Sequence, residues 1–322
     1  MATPKVLVLK KGFKYLININ FFIVSLSGLN LLAQDAHILF NRMNMAVYNP
    51  AFTGTNGAFI SVNSRSQWVG IEHAPRTNYL IVNLPQKKKI NLGFTAQNDR
   101  VFIENKTYLT VDYNYELQLS NNQHIFLGLK GGGFYNNISL DRLQRLYSTY
   151  NPALGVVESY LTPVLGFGIQ YQGPNHFIGV GMPSIFNNKR FDDNSGWETT
   201  ATDAAYLYFS GGIRFSLGKN LTLDPVMIYR SSPQIPNLFS GTVAVNYQDK
   251  LSLGAGYANN RNMALFFSSK NIDGVEFGYG YEFMNFDDNS AIQKGTHEFV
   301  LRFLLNNSSS KETDNQGEVG QD

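Results

Sequence analysis

No cysteine occurs anywhere in the 322 residues, so disulfide stapling, thiolate metal sites and cysteine nucleophiles are all excluded. Net charge is nearly absent as well. The 26 Lys and Arg stand against 24 Asp and Glu, a formal +2, too small a surplus for a nucleic-acid footprint, and no nucleic-acid partner is expected. Beyond the first 33 residues the chain also lacks any run of the roughly 18 consecutive apolar residues that a membrane-spanning helix needs. If it enters a membrane past that point, it must do so as strands. His37, His73, His124, His176 and His297 show no ligand-like spacing, and no Gly-x-Ser-x-Gly elbow is present. The run Gly131 to Gly133 has neither the lysine-serine ending nor the following helix of a phosphate loop. Neither a metal, nor a cofactor, nor an enzymatic activity is expected.

What is present begins with a leader. Lys5, Lys10, Lys11 and Lys14 precede an apolar run from Tyr15 to Leu32 that ends in LLAQD, the pattern of a targeting peptide, with cleavage expected after Ala33. Asn18, Asn20, Ser25, Ser27, Gly28 and Asn30 interrupt the run and disfavour a retained anchor. The expected organisation is a signal peptide at 1–33, an amino-terminal segment at 34–57, a transmembrane β-barrel at 58–305 and a disordered polar tail at 306–322, where NNSSSKETDNQGEVGQD carries no apolar anchor.

Period-two alternation dominates the remainder. In TYLTVDYNYELQL, Leu109, Val111, Tyr113, Tyr115, Leu117 and Leu119 form a greasy face opposed by Thr110, Asp112, Asn114, Glu116 and Gln118. Val275, Phe277, Tyr279, Tyr281 and Phe283 oppose Glu276, Gly278, Gly280 and Glu282 in the same way, and Phe299, Leu301 and Phe303 repeat the pattern. A soluble sandwich alternates too, but several of these segments exceed the five or six residues usual in globular strands. About 9 to 11 tilted residues span a bilayer. Fourteen strands are expected, starting near residues 58, 76, 89, 105, 123, 159, 175, 203, 219, 237, 250, 262, 274 and 295, an even number as in bacterial outer-membrane barrels.

Connections alternate in length. Short ones fall at PQKK, SNN, QGPN, GKN, QDK and NIDG, and longer ones at 67–75, 137–158, 184–202, 231–236 and 287–294. This is how an up-and-down antiparallel barrel with periplasmic turns and external loops is written. The link Asn259 to Arg261 is short where a long loop is wanted, which marks one hairpin as misplaced. Pro163 and Pro225 fall inside strands, where each removes a ladder donor, and are expected at bulges or strand ends.

Charged side chains set the register, because Asp112 or Glu116 facing lipid would cost up to a few kcal/mol near the midplane. The lumen is therefore expected to hold Asp112, Glu116, Lys130, Arg214, Glu276, Glu282 and Arg302, a mixed-sign set that argues against a strongly ion-selective channel. FDDNSG at Phe191 to Gly196 and FDDNS at Phe286 to Ser290 do not fit calcium-loop spacing and read as acidic solvated loops. In RSQWVGIEHAPRT, Arg65 and Arg76 bracket Trp68 and Pro75. Two readings stand: a cation and indole recognition surface, or Trp68 as an interface anchor of the aromatic girdle.

In YNPAFTG, Pro50 fixes its own backbone and pushes Asn49 towards extended geometry. Gly54 permits a sharp reversal, Tyr48 and Phe52 supply apolar anchors, and Ala51 and Thr53 complete the unit. This unit is expected to pin residues 34–57 at the periplasmic mouth or within the lumen.

The run AQDAHILFNRMNMAVYNPAFTG, followed by RSQWVGIEHAPRT with Arg65, Gln67, Trp68, Gly70, Pro75 and Thr77 in place, resembles the PorP/SprF proteins of the Bacteroidota type IX secretion system. VLGFGIQYQGPNHFIGVGMPSIFN is similar to the family's mid-chain strands. The resemblance covers nearly the whole mature chain, although Ile38 stands where the family tends to an aromatic and the tail extends past the usual last strand. It implies an outer-membrane barrel that binds the carboxy-terminal sorting domain of secreted surface proteins or gliding adhesins, in contact with outer-membrane lipid and with periplasmic, peptidoglycan-linked components. Two further functions remain open at this point: a porin or transporter for small or apolar solutes, and an outer-membrane hydrolase.

Overall fold

The computed structural model describes residues 39–102, 104–138, 159–186, 188–189, 202–203, 205–233, 236–259, 262–272, 274–284 and 295–305. The leader and its cleavage site, both FDDNS loops and the polar tail lie outside them.

Fourteen antiparallel strands make up the barrel. They are β1 (Phe59–Ser66), β2 (Arg76–Asn83), β3 (Ile90–Val101), β4 (Glu104–Ser120), β5 (Gln123–Ile138), β6 (Tyr160–Gln172) and β7 (His176–Met182). Next come β8 (Leu207–Ile213, resuming at Phe215–Ser216), β9 (Leu221–Ser231), β10 (Leu238–Tyr247), β11 (Leu251–Ala258), β12 (Asn262–Ile272), β13 (Val275–Met284) and β14 (Thr296–Leu304). Each strand pairs with its sequence neighbour, and β14 pairs back onto β1 with Phe59 opposite Leu304 and Ser66 opposite His297. The ring is closed, so among the described residues every barrel strand has a neighbour on each side, as strands in an apolar slab require.

Thirteen of the fourteen expected starting points fall within two residues of the observed ones. The exception was placed near 203. There, Thr202–Asp203 pairs with Asn188–Lys189 in a separate two-stranded ladder, and β8 begins only at Leu207. The link at 259–261 is a true tight hairpin, since Ala258 pairs with Asn262, so no hairpin is misplaced. A second short link on the same rim joins β3 to β4, where Val101 pairs with Glu104.

Pro163 and Pro225 correct another expectation, because neither sits at a bulge or at the end residue of its strand. Pro225 is paired with Val243 in continuous register. Across its other side, Gly212 pairs with Val226 and Phe215 with Leu223, and the ladder lapses between them where proline has no N–H to give. Pro163 pairs with Gly133 on β5, and among the described residues it lies beyond the β6–β7 ladder, which runs from Phe167 to Gln172.

Facing follows the pleat. Leu109, Val111, Leu129, Leu161, Leu253, Leu265 and Phe299 all point outward and are more than half exposed, as a lipid-facing belt must be. The inward face is mixed. Phe59, Tyr79, Ile81, Ile228, Ala264 and Val300 form an apolar core inside the ring together with Leu39, Phe40, Met45, Tyr48 and Phe52 from the segment ahead of β1. The barrel is thus packed from within by its own amino-terminal segment. Among the described residues no helix is long and apolar enough to cross a membrane.

Candidate functional site

The lumenal segment is a chain of three 3-10 turns, Asn41–Met43, Met45–Val47 and Pro50–Phe52. The last is built by its sequence. Asn49 is extended at φ −149°, its Oδ1 accepts the Ala51 N–H at 2.9 Å, and Pro50 occupies the first position of the turn, where a missing N–H costs nothing. Thr53 returns to extended backbone and Gly54 turns the chain at φ +78°, a conformation that glycine adopts without strain.

The wall is shaped to receive this turn. Asn49 Nδ2 donates to the Ile169 carbonyl on β6 at 3.2 Å, and Asn114 on β4, fully buried, donates to the carbonyls of Ala51 at 3.0 Å and Thr53 at 2.7 Å. Gly128 on β5 faces the Pro50–Ala51 peptide, and Gly168 and Gly181 on β6 and β7 face Asn49 so closely that a Cβ at any of the three would collide. Phe52 packs edge-on against Phe177 with centroids 5.3 Å apart, and Tyr48 lies 5.1 Å from Tyr208.

Residues 39–43 are held by the other wall. Glu298 on β14, with no solvent exposure, accepts hydrogen bonds from Leu39 N–H (2.9 Å), Phe40 N–H (3.3 Å), Asn63 Nδ2 (3.0 Å) and Arg65 Nη1 (3.2 Å). Arg65 extends its other nitrogen to Glu282 on β13 at 2.9 Å, and Asn262 Nδ2 donates to the same carboxylate at 2.6 Å. A guanidinium between two carboxylates, each with further donors, meets the condition under which buried charge is tolerated. Phe40 packs on Phe266 at 5.6 Å and against Gly278 and Gly280, and Arg302 donates to the Met43 carbonyl. Because β13 and β6 are seven strands apart on a ring of fourteen, the segment is clamped between opposite walls.

At the rim formed by the short turns, Asp224 on β9 receives two arginines. Arg214 binds it through two nitrogens at 3.0 and 2.7 Å, and Arg42 of the lumenal segment reaches the same carboxylate. Arg302 lies 3.7 Å from Glu276 and stacks 4.0 Å above the Phe59 ring. Across the lumen Lys130 and Asp112 form a buried pair at 2.8 Å.

The description "Type IX secretion system membrane protein PorP/SprF" matches residues 31–303. The chain belongs to this family. It is an outer-membrane component of type IX secretion with a closed β-barrel fold. No curated protein matches it. Among solved structures it is similar to a TodX deletion mutant described as a monoaromatic hydrocarbon channel (9% identity, TM-score 0.49, 80% of this chain and 93% of that one). It is also similar to the toluene transporter TbuX of Ralstonia pickettii (10%, 0.48, 81% and 93%) and to Omp33 of Acinetobacter baumannii (10%, 0.43, 77% and 98%). At these values the three likenesses carry no functional argument.

The family's second block divides on the structure. Arg65 does not stand beside Trp68 on an outer surface: it is 2% exposed, points into the lumen and is committed to Glu282 and Glu298. Gln67 and Thr77 are buried at the rim opposite the short turns, beside the long β1–β2 link, with Thr77 Oγ1 donating to Asp99 at 2.7 Å and Gln67 N–H to the Pro75 carbonyl at 2.9 Å. Trp68 at φ +47° and Gly70 at φ +93° lie in the loop between β1 and β2, and Arg76 at the start of β2 is exposed. Of the charges assigned to the lumen, Asp112, Lys130, Glu282 and Arg302 are buried, while Glu276 and Arg214 are half-buried. Glu116 sits near the short-turn rim, bound to His124 at 2.7 Å and to Gln86.

Sequence reasoning missed Asp224, Glu298 and Arg42. Asp224 and Glu298 alternate with lipid-facing neighbours, as Asp112 does, so that signal could have found them. Arg42 lies in no strand pattern.

Proposed function

We propose that the protein is a non-catalytic adaptor of type IX secretion. It binds the carboxy-terminal sorting domain of secreted surface proteins or gliding adhesins and supports their export or surface attachment. A cleaved leader delivers it, and periplasmic peptidoglycan-linked components meet it on the short-turn side. One observation carries this reading beyond family membership: the lumen is filled by residues 39–57, clamped to opposite walls by buried hydrogen bonds and an apolar core. A barrel filled in this way is suited to presenting surfaces rather than to passing solute.

The test is gentle extraction of the tagged protein from its native outer membrane, with mass spectrometry of what accompanies it. Recovery of a large secreted protein, lost when that protein's carboxy-terminal domain is deleted, supports the adaptor. Recovery of no protein, together with steady conductance in planar bilayers, would replace it with the porin reading.

A further inference from the structure

Two cavities open between the lumenal segment and the wall at the short-turn rim, the end that faces the periplasm in outer-membrane barrels. One, of about 390 Å³, is lined by Arg42, Arg214, Lys270 and Arg302 against Asp224, Asp249 and Glu276. The other, of about 320 Å³, lies on the far side of Arg42 and Arg214. It adds Gln170, Gln172, Asn175 and His176, with no carboxylate among its described lining residues. Both volumes are in the range of ligand sites.

The charge there is unbalanced. Asp224 is shared by two guanidiniums whose side chains are 40% and 39% exposed. Exposed Lys219 and Lys250 stand in the turns flanking the first cavity, where Lys270 N–H donates to the Lys250 carbonyl. The described lining holds Arg42, Arg214, Lys270 and Arg302 against Asp224, Asp249 and Glu276, a surplus of one positive charge, and Lys219 and Lys250 in the flanking turns against Asp273 in the sequence between β12 and β13 raise it to two. Guanidiniums fork carboxylates, and carboxamides suit peptide N–H groups. Gln170 and Gln172 both line the second cavity, and Gln170 Nε2 donates to Gln172 Oε1 at 3.4 Å.

Leu304, the last residue of β14, lines the first cavity. Two residues further on the sequence enters a run in which Glu312, Asp314, Glu318 and Asp322 oppose Lys311 alone, four negative charges against one positive, or −3. The complement to the mouth is thus written beside it, and a segment joined there acts at an effective concentration on the order of millimolar.

We propose that this mouth is a binding site for peptide carboxylates and that the acidic run at residues 312–322 occupies it in cis. The inference does not depend on the adaptor reading, since it concerns only where the chain's own acidic segment binds.

Zero-length carbodiimide coupling of the full chain in detergent tests it, because only a carboxylate touching an ammonium is joined. The expected products link Glu312, Asp314 or Glu318 to Lys219, Lys250 or Lys270, spare Lys87, Lys88 and Lys89 in the turn between β2 and β3, and fade at high salt. As a second arm, the chain ending at Leu305 is titrated with an amidated synthetic peptide of residues 306–322. Binding should weaken about tenfold in Lys219→Gln/Lys250→Gln/Lys270→Gln, whose side chains are outside the wall packing, and vanish for a peptide with Asn and Gln in place of Asp and Glu. Equal binding of the acid-free peptide would overturn the site. Peptide binding in trans without tail products in the full chain would overturn the occupant.

Discussion

Glu298→Gln is the sharpest single probe of what holds the lumenal segment. The side chain keeps its volume and loses its charge, and Arg65 remains paired with Glu282 at 2.9 Å, so no orphaned cation is created. What changes are the bonds from Leu39 N–H, Phe40 N–H, Asn63 Nδ2 and Arg65 Nη1, at 2.9, 3.3, 3.0 and 3.2 Å. A hydrogen bond to a charged group contributes about 1.5–3 kcal/mol and a neutral one about 0.5–1.5 kcal/mol. Of these four, only the Leu39 and Phe40 bonds join the segment to the wall, and those two lose roughly 2 kcal/mol together, which is about thirtyfold in the docking equilibrium of residues 39–43. Hydrogen exchange of the purified protein in detergent reads this directly, as faster exchange at Leu39 and Phe40. Heat-modifiable gel migration, which should not change, reports that the barrel is intact. Unaltered exchange at Leu39 and Phe40 in a folded barrel would refute the assignment of Glu298 as the clamp.

Other outcomes follow from the same packing. Phe52→Ala removes a side chain that is 6% exposed and edge-packed on Phe177. It should cost about 3–5 kcal/mol of local stability, seen as protease cleavage within residues 39–57 that the parent resists. Lys130→Met leaves Asp112, 1% exposed, buried without its partner. This should destabilise the barrel by about 3–5 kcal/mol and lower the temperature at which the heat-modified gel form appears. Adding Asp112→Leu should restore most of that loss, because a well-packed apolar pair replaces a buried ion pair at little cost. Failure of the double variant to recover would place the role of Lys130 elsewhere.

Strand number and facing were legible because side-chain direction alternates with a period of two, so Asp112 between Val111 and Tyr113 announces both a strand and its wet side. NPAFTG announced a pinned turn, since proline and glycine constrain backbone wherever they occur. Its capping by Asn49 was also local, although the alternation gave no sign of it. The misplaced start of β8 had a tertiary cause: Thr202–Asp203 found a partner in Asn188–Lys189 rather than in the barrel wall.

By itself, then, the sequence determined the barrel, its register against lipid and the family to which the chain belongs. Only the tertiary structure decided what meets what across the lumen. Glu298 reaches Leu39 over 259 residues of chain, Asn114 holds Ala51 over 63, and Arg65, which reads as a surface cation beside Trp68, is drawn inward between two carboxylates. Alternation specifies the side of the sheet to which a residue points, but ring closure alone specifies which distant residues share the space inside.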